Sequence, residues 1–180
     1  MYPIFLDCEA SSLSNSSYPI EIAWNDREGN IESYLINAYL YPKDYMDWDP
    51  GAQSVHNLSR KYLCEHGKSP VYVAKKINSA LSGKVIYTDA PDFDGFWISR
   101  LFDAVNLENC LKFENIEVLL SELLPMEYWV VNPLSGDRHI NKLYELARES
   151  CELPKHRAAN DVAYLLELYK SALLLADTYN

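Results

Sequence analysis

The stretch Phe5-Leu6-Asp7-Cys8-Glu9 places two acidic residues directly after an apolar run near the start of the chain. The run, residues 4–6, predicts a short buried strand, and strand side chains alternate between two faces. Asp7 and Glu9 would therefore project from one face, and Cys8 from the other. Two neighbouring carboxylates repel each other, and a divalent cation held by oxygen ligands would relieve that repulsion. The alternative is a strand end at which both acids simply meet solvent.

Composition is that of an ordinary globular protein. The chain has 180 residues, of which 48% are apolar and 23% charged, so we expect one domain over residues 1–180. No apolar run approaches the roughly 20 residues that span a bilayer, and the N-terminus has no signal-peptide pattern, so no membrane partner is expected. The 4 cysteines are scattered, without a C-x-x-C pair or zinc-site spacing, which predicts reduced thiols and a cytoplasmic location.

The formal charge of −10 limits the nucleic acids that this chain could bind. Affinity for long duplexes comes mostly from phosphate contacts with basic side chains, and an acidic protein offers few of them. A nucleic-acid ligand would have to be attracted by metal ions or by a local basic patch, and short or single-stranded molecules would fit better. The alternative is that the acidity serves only solubility.

Hydrophobic periodicity predicts an α/β fold. Strands are predicted at residues 4–9, 18–24, 31–41, 84–87 and 111–113. Helices are predicted from near residue 59, at 70–81, 92–106, 115–124 and 141–150, and from near residue 157, with a loop at 42–53. In the helix at 92–106 the inward residues are predicted to be Phe93, Phe96, Trp97 and Leu101. Short connections make the first three strands antiparallel, and the later helices predict a mixed five-stranded sheet with helices on both faces.

Further acids lie at two other places in the chain. Asp89 follows the fourth predicted strand, and Asp92 and Asp94 follow at the start of a helix. Asp161 precedes Leu165 by four residues in the last helix and so shares its apolar face. An unpaired acid on an inward face is costly, whereas the helix N-terminus and a metal ion would keep it ionised.

Five stretches carry these acids together with histidines and apolar neighbours, and they follow in order along most of the chain. They are FLDCEASSL at residues 5–13, YPIEIA at 18–23, VHNLS at 55–59, FDGFW at 93–97 and HRAAND at 156–161. Any one match is weak, but the ordered set resembles the DEDDh 3′–5′ exonucleases, the DnaQ-like or RNase T-like group with a ribonuclease H-like fold. The family patterns are D-x-E with small residues and a leucine, I-x-E-I-A, I-H-G-I-T (here with Asn57 for glycine), F-D-x-x-F-L and H-x4-D.

The resemblance implies a two-metal hydrolase. Asp7, Glu9, Asp94 and Asp161 would hold two Mg²⁺ or Mn²⁺ ions about 3.5–4 Å apart, which would activate a water and stabilise charge on the scissile phosphate. His156 would accept the proton of the water as general base. Taken alone, His156 would be read as a surface histidine near a helix start.

Departures from the family pattern leave alternatives open. The family often has asparagine four residues before the second aspartate, where this chain has Ala90. Asp89 and Asp92 are therefore alternatives to Asp94 as the ligand, and the flanking phenylalanines favour Asp94. Ser12 stands where the family often has glycine, which affects the substrate contacts more than the metal site.

The resemblance also implies residues that contact substrate. They are Ser11, Ser12, Leu13, His56 and Asn57. Leu13 matches the leucine that packs on the terminal base, and Trp48 is a candidate for base stacking, with core packing as its alternative. Candidate phosphate contacts, each equally consistent with a solvated surface, are Arg138, Lys155 and Arg157.

These observations predict a metal-dependent 3′–5′ exonuclease acting on short or single-stranded nucleic acid, with RNA slightly favoured over DNA. One alternative is an endonuclease or other phosphodiesterase on the same fold. The other is a catalytically inactive module that binds a partner, against which the complete set of acids and the histidine argue. A homodimer is plausible by resemblance alone, since no residue marks an interface.

Overall fold

The computed structural model of the protein describes residues 1–131, 139–151 and 153–179. The strands are β1 Ile4–Ala10, β2 Pro19–Asn25, β3 Ile31–Leu35, β4 Val85–Thr88 and β5 Lys112–Asn115. The helices are α1 Pro50–His56, α2 Arg60–His66, α3 Pro70–Leu81, α4 Pro91–Ala104, α5 Ile116–Leu123, α6 His139–Cys151 and α7 Ala158–Tyr179, with 3₁₀ turns at Ala38–Leu40 and Met126–Tyr128.

The strands form one mixed sheet in the order β3-β2-β1-β4-β5. β1 pairs with β2 and β2 with β3 in antiparallel fashion, as their short connections predict, whereas β4 runs parallel to both β1 and β5. β1 is therefore the central strand, and the carboxyl ends of β1 and β4 lie at the same edge of the sheet. Glu9 lies opposite Glu21 of β2 there, next to a register shift between Glu9 and Ala10.

Side chains of β1 alternate between two hydrophobic cores, one on each side of the sheet. Ile4, Leu6 and Cys8 pack with residues of α3 and α4. Phe5 packs with residues of α5, α6 and α7 on the opposite side. Both faces of the sheet are thus covered by helices, which confirms the predicted architecture. Asp7 and Glu9 follow Phe5 on the α7 side, as the alternation predicts.

Three sequence-based predictions about local structure are wrong. Residues 50–53, predicted as the end of a loop, belong to α1, because Asp49 accepts hydrogen bonds from Gly51 N and Ala52 N and Pro50 occupies the first helical position. β3 ends at Leu35 rather than continuing to residue 41, because Asn37 caps a 3₁₀ turn. Phe93 is not inward: it lies in the first turn of α4 and is 47% exposed.

The last helix, α7, is 22 residues long and packs across the sheet. Val162, Leu165 and Leu166 are buried in the core shared with Phe5, as their spacing predicts. Among the described residues, no helix combines the length and the apolar character that crossing a membrane requires.

Asn25, at the end of β2, fixes the start of β1. Its side chain is fully buried and its Oδ1 accepts a hydrogen bond from Phe5 N at 2.7 Å. Its Nδ2 donates to the carbonyl oxygens of Pro3 and Asp26 at 2.8 and 2.7 Å. One amide thus satisfies backbone groups of both strands, which holds the strand that carries Asp7 and Glu9 in place.

We expect Asn25→Ala to lower the free energy of unfolding by about 3 kcal/mol, because it leaves several buried backbone groups without partners. Asn30→Ala is the matched control, since the Asn30 side chain is exposed and bonds only to Asp26. Urea unfolding of both variants measures the difference. Equal losses in the two variants would contradict the anchoring role of Asn25.

Candidate active site

A cavity of about 600 Å³ lies at the sheet edge where β1 and β4 end. Six carboxylates line it: Asp49 caps α1, and the other five come from β1, the loop after β4, α4 and α7. These five are Asp7, Glu9, Asp89, Asp94 and Asp161. His156 lines the same cavity, so the structure brings together every acid predicted for the site and the predicted general base.

These five carboxylates form two groups of three that share Asp7. One group is Asp7, Glu9 and Asp161, and the other is Asp7, Asp89 and Asp94. Within each group, one oxygen from every residue lies within 4.8 Å of the others. Carboxylate oxygens are the ligands that Mg²⁺ and Mn²⁺ prefer, so the donor set fits two hard divalent cations with Asp7 between them.

Burial and mutual repulsion favour the protonated forms of Asp7 and Glu9 when no cation balances their charges. Burial raises the pKa of Asp7 well above its ordinary range, and the charges of Asp94, Asp161, Glu9 and Asp89 raise it further. Burial, followed by Asp161 and Glu21, raises the pKa of Glu9 to about 8, against a smaller opposing effect of Arg157. A cation would favour the ionised forms and release these protons.

Asp161 organises the backbone that enters α7. Its Oδ2 accepts hydrogen bonds from the backbone N–H groups of His156 and Arg157, at 2.9 and 3.3 Å. His156 adopts a left-handed conformation with φ of 62°, which non-glycine residues rarely do and which often marks functional positions. The turn places the exposed imidazole at the rim of the cavity.

Glu21 anchors the same turn to the sheet, a role that the sequence did not reveal. It is only 2% exposed, and its carboxylate accepts hydrogen bonds from Nε and Nη2 of Arg157, both at 2.9 Å. Ala158 N donates to it at 3.2 Å. This bidentate pair explains why an acid is tolerated in an otherwise apolar strand. Arg157, predicted as a phosphate contact, is thus engaged with Glu21.

Arg148 of α6 is a second residue that sequence reasoning missed. Its Nη1 lies 3.1 Å from Oδ1 of Asp161, and its guanidinium lies 3.4 Å from the centre of the Tyr164 ring. Arg148 and Lys155 both line the cavity. They also line a second, smaller cavity between α6 and α7, together with Glu145 and Glu149, so the two cavities share these two basic residues. Arg138, the other predicted phosphate contact, lies outside the described residues.

The predicted substrate-binding residues divide into two groups. Ser12, Leu13 and His56 line the cavity, and Leu13 is 75% exposed. The remaining three are absent from its described lining. They are Ser11, Asn57 and Trp48.

Each of these three residues has a structural role instead, through a hydrogen bond or through its backbone conformation. The hydroxyl of Ser11 is buried and accepts a hydrogen bond from Tyr18 N at 3.2 Å. The indole N–H of Trp48 donates to Gln53. Asn57 ends α1 in a left-handed conformation, which suits asparagine as well as the glycine it replaces in the family motif.

His56 contributes a polar atom without a partner. The residue is only 2% exposed, and its Nδ1 accepts a hydrogen bond from Leu58 N at 3.0 Å. Burial lowers the pKa of His56, which favours the neutral ring with its proton on Nε2. Among the described residues, nothing forms a hydrogen bond with Nε2. A donor left unsatisfied beside a cavity indicates a site for a ligand acceptor.

Solved structures of exonuclease I have the same fold. E. coli exonuclease I in complex with a dA16 oligonucleotide has a TM-score of 0.64 and 19% identity over 98% of this chain and 42% of that one. The zinc-bound E. coli exonuclease I complex with single-stranded DNA has a TM-score of 0.66 and 18% identity, over 99% of this chain and 43% of that one. Product-bound exonuclease I has a TM-score of 0.63 and 18% identity, over 99% of this chain and 46% of that one. These similarities confirm the predicted ribonuclease H-like fold.

No protein-family model and no curated protein sequence matches the chain. The chain spans less than half the length of the exonuclease I structures that it resembles.

Cation binding is expected to strengthen with pH. The pKa of Glu9 is about 8 in the folded protein, whereas its ordinary value is 4.5. Between pH 4.5 and pH 8 the unfolded chain has released this proton while the folded protein retains it. The cation-free fold therefore loses stability as pH rises through this range. A cation binds the ionised form and opposes this loss. Mn²⁺ should therefore raise the melting temperature more at about pH 8.5 than at about pH 6.

Differential scanning fluorimetry with Mn²⁺ and with chelator measures this shift. Asp92→Asn is the control, because Asp92 is exposed and does not line the cavity. Its shifts should equal those of the wild type. A Mn²⁺ shift that is the same at both pH values would contradict the coupling between protons and cation.

Proposed function

We propose that the protein is a metal-dependent 3′–5′ exonuclease of the DEDDh type that hydrolyses phosphodiester bonds of single-stranded or short nucleic acid. The observation that carries this proposal is the pair of carboxylate groups sharing Asp7, with His156 at the rim of the same cavity. The exonuclease I structures, which hold oligonucleotides on this fold, support it.

Two divalent ions, Mg²⁺ or Mn²⁺, would lower the pKa of a bound water and neutralise charge on the scissile phosphate. Asp7, Glu9 and Asp161 would hold one ion, and the other would lie at the second group, which Asp7 forms with Asp89 and Asp94. The imidazole of His156 would accept the proton of the attacking water, because its exposed position leaves it access to solvent and cavity alike.

The walls of the cavity suit a terminal nucleotide. Leu13, Val55 and Phe93 are all exposed apolar side chains that line it, and they offer a surface on which a base can stack. The Nε2–H group of His56 is available to a sugar hydroxyl or base oxygen. Arg148 and Lys155 supply positive charge for phosphates on a chain whose formal charge is −10.

The oligonucleotides named in the exonuclease I structures include dA16 and single-stranded DNA. The slight preference for RNA that the sequence suggested therefore stays a prediction. A single domain over residues 1–180, a homodimer and a cytoplasmic location likewise stay predictions.

The test uses 5′-labelled single-stranded RNA and its DNA counterpart, each with Mn²⁺ and with chelator, resolved on a sequencing gel. Wild type should produce a ladder that shortens from the 3′ end only with Mn²⁺. Asp7→Asn should slow it more than about 100-fold, since even the outer partners of metal ligands are worth about 10–100-fold. Asp92→Asn should degrade the substrate at the wild-type rate.

The gel separates the proposal from its alternatives. A single internal cut would favour an endonuclease on the same fold, and intact substrate in every lane would favour a binding module. Degradation by Asp7→Asn at the wild-type rate would contradict the two-metal mechanism.

A further inference from the structure

The buried carboxylate of Asp94 is already committed to hydrogen bonds within the protein. Asp94 is 1% exposed. Its Oδ1 accepts a hydrogen bond from Cys8 N at 3.1 Å, and its Oδ2 accepts one from the hydroxyl of Thr88. The oxygen of Thr88 in turn accepts from Ala90 N at 3.1 Å. Asp94 therefore ties the loop after β4 to the backbone of β1, between the two acids of that strand.

The carboxylate of Asp89 differs from that of Asp94 in its exposure and in its hydrogen bonding. Asp89 is the first residue after β4, the residue is exposed, and it lines the cavity, where burial by neighbouring atoms still raises the pKa of its carboxyl. One of its carboxylate oxygens lies within 4.8 Å of ligand oxygens of both Asp7 and Asp94. In the described part of the chain, no other residue donates a hydrogen bond to this carboxylate. Its own backbone N–H donates to it, and its remaining lone pairs are available to a ligand ion in the cavity.

Hydration distinguishes the two carboxylates as ligands. Mg²⁺ loses its water reluctantly and usually keeps several water ligands in a protein site. A carboxylate that reaches solvent can bind such a partly hydrated ion, and Asp89 is exposed whereas Asp94 is 1% exposed. Asp161 also accepts hydrogen bonds from the protein, but 18% of its side chain remains exposed, so solvent contact is what distinguishes Asp94 from the other acids.

On the basis of the metal-dependent function proposed above, we propose that Asp89 is a direct ligand of the second divalent ion, shared with Asp7. Asp94 is then a positioning residue, which holds the Asp89 loop against β1 through Cys8 N and Thr88. The family pattern that matches Asp94 gives no sign of this role for Asp89.

The charge of the site agrees with a fifth carboxylate. The two carboxylate groups contain five acids, one more than the charge of two divalent ions balances. A sixth acid, Asp49, lies elsewhere on the cavity wall, as does Lys155. The guanidinium of Arg148, which lies 3.1 Å from Asp161, supplies the missing positive charge. The loaded site would be close to neutral, so an anionic phosphodiester could enter it without net repulsion.

Mn²⁺ stoichiometry in isothermal titration calorimetry is the first test. Wild type and Asp92→Asn should each bind two ions. Asp89→Asn should lose one ion or bind it at least about 10-fold more weakly, as expected for loss of a ligand. Asp94→Asn keeps an oxygen for Cys8 N and a polar group for Thr88, so it should keep both ions. Loss of an ion in Asp94→Asn with both retained in Asp89→Asn would overturn the assignment.

Cysteine substitutions probed with Cd²⁺ distinguish direct ligation of the ion from an effect of the carboxylate charge alone. Cd²⁺ prefers sulfur ligands, and a cadmium–thiolate bond adds a charge-transfer band in the ultraviolet. Asp89→Cys should gain this band on addition of Cd²⁺, above the background of the wild-type cysteines. Asp92→Cys and Asp94→Cys should not gain it. A band in Asp94→Cys and none in Asp89→Cys would overturn the proposal.

These measurements are independent of nuclease activity. If wild type binds no Mn²⁺, the proposed function fails together with the assignment. If wild type binds two ions and degrades oligonucleotides while Asp89→Asn also binds two, the assignment of Asp89 fails alone.

Discussion

Electrostatic repulsion among the carboxylates at the end of β1 is the constraint on which the site depends. Asp7 and Glu9 leave the central strand on one face, and the sheet brings Asp89 and Asp94 beside them because β4 runs parallel to β1. Asp161 reaches the same place from α7. Burial and the concentration of these acids raise the pKa of Asp7 and Glu9, a cost that a structural role would not require. The proposed metal-dependent function would account for that cost, because cations would balance the charges.

Three hydrogen-bonded anchors hold the acids together despite their repulsion. Asp94 links the loop after β4 to β1 through Cys8 N. Glu21 links the start of α7 to β2 through Arg157. Asp161 stabilises the turn that carries His156. Each anchor uses a carboxylate that accepts from backbone or guanidinium groups, so the positions of the functional side chains are fixed before any ligand binds.

Local sequence patterns could predict the parts of the fold that depend on periodicity. The alternation along β1 assigned Asp7 and Glu9 to one face, and the spacing of Val162, Leu165 and Leu166 assigned the buried face of α7. α1 was missed because residues 50–56 lack an apolar stripe and begin with Pro-Gly, although Asp49 and Pro50 form a recognisable helix start. Periodicity predicts that Phe93 points inward, because an apolar residue that lines a cavity has the same spacing as one that packs in the core. The first turn of α4 borders the cavity.

Site residues that depend on long-range contacts could not be predicted. Arg157 pairs with Glu21 across 136 positions of sequence, and Arg148 reaches Asp161 from another helix. Neither pair leaves a pattern in a single sequence. The choice between Asp89 and Asp94 stayed open because register alone does not show which carboxylate is saturated by protein donors and which meets the solvent.

The proposed mechanism requires two divalent ions that share Asp7 in this cavity. An anomalous difference map from crystals soaked in Mn²⁺ and measured at the manganese edge would locate them. We expect two peaks, one beside Glu9 and Asp161 and one beside Asp89, with Asp7 in contact with both. An empty cavity, or a single peak without Asp7 as a ligand, would contradict the mechanism.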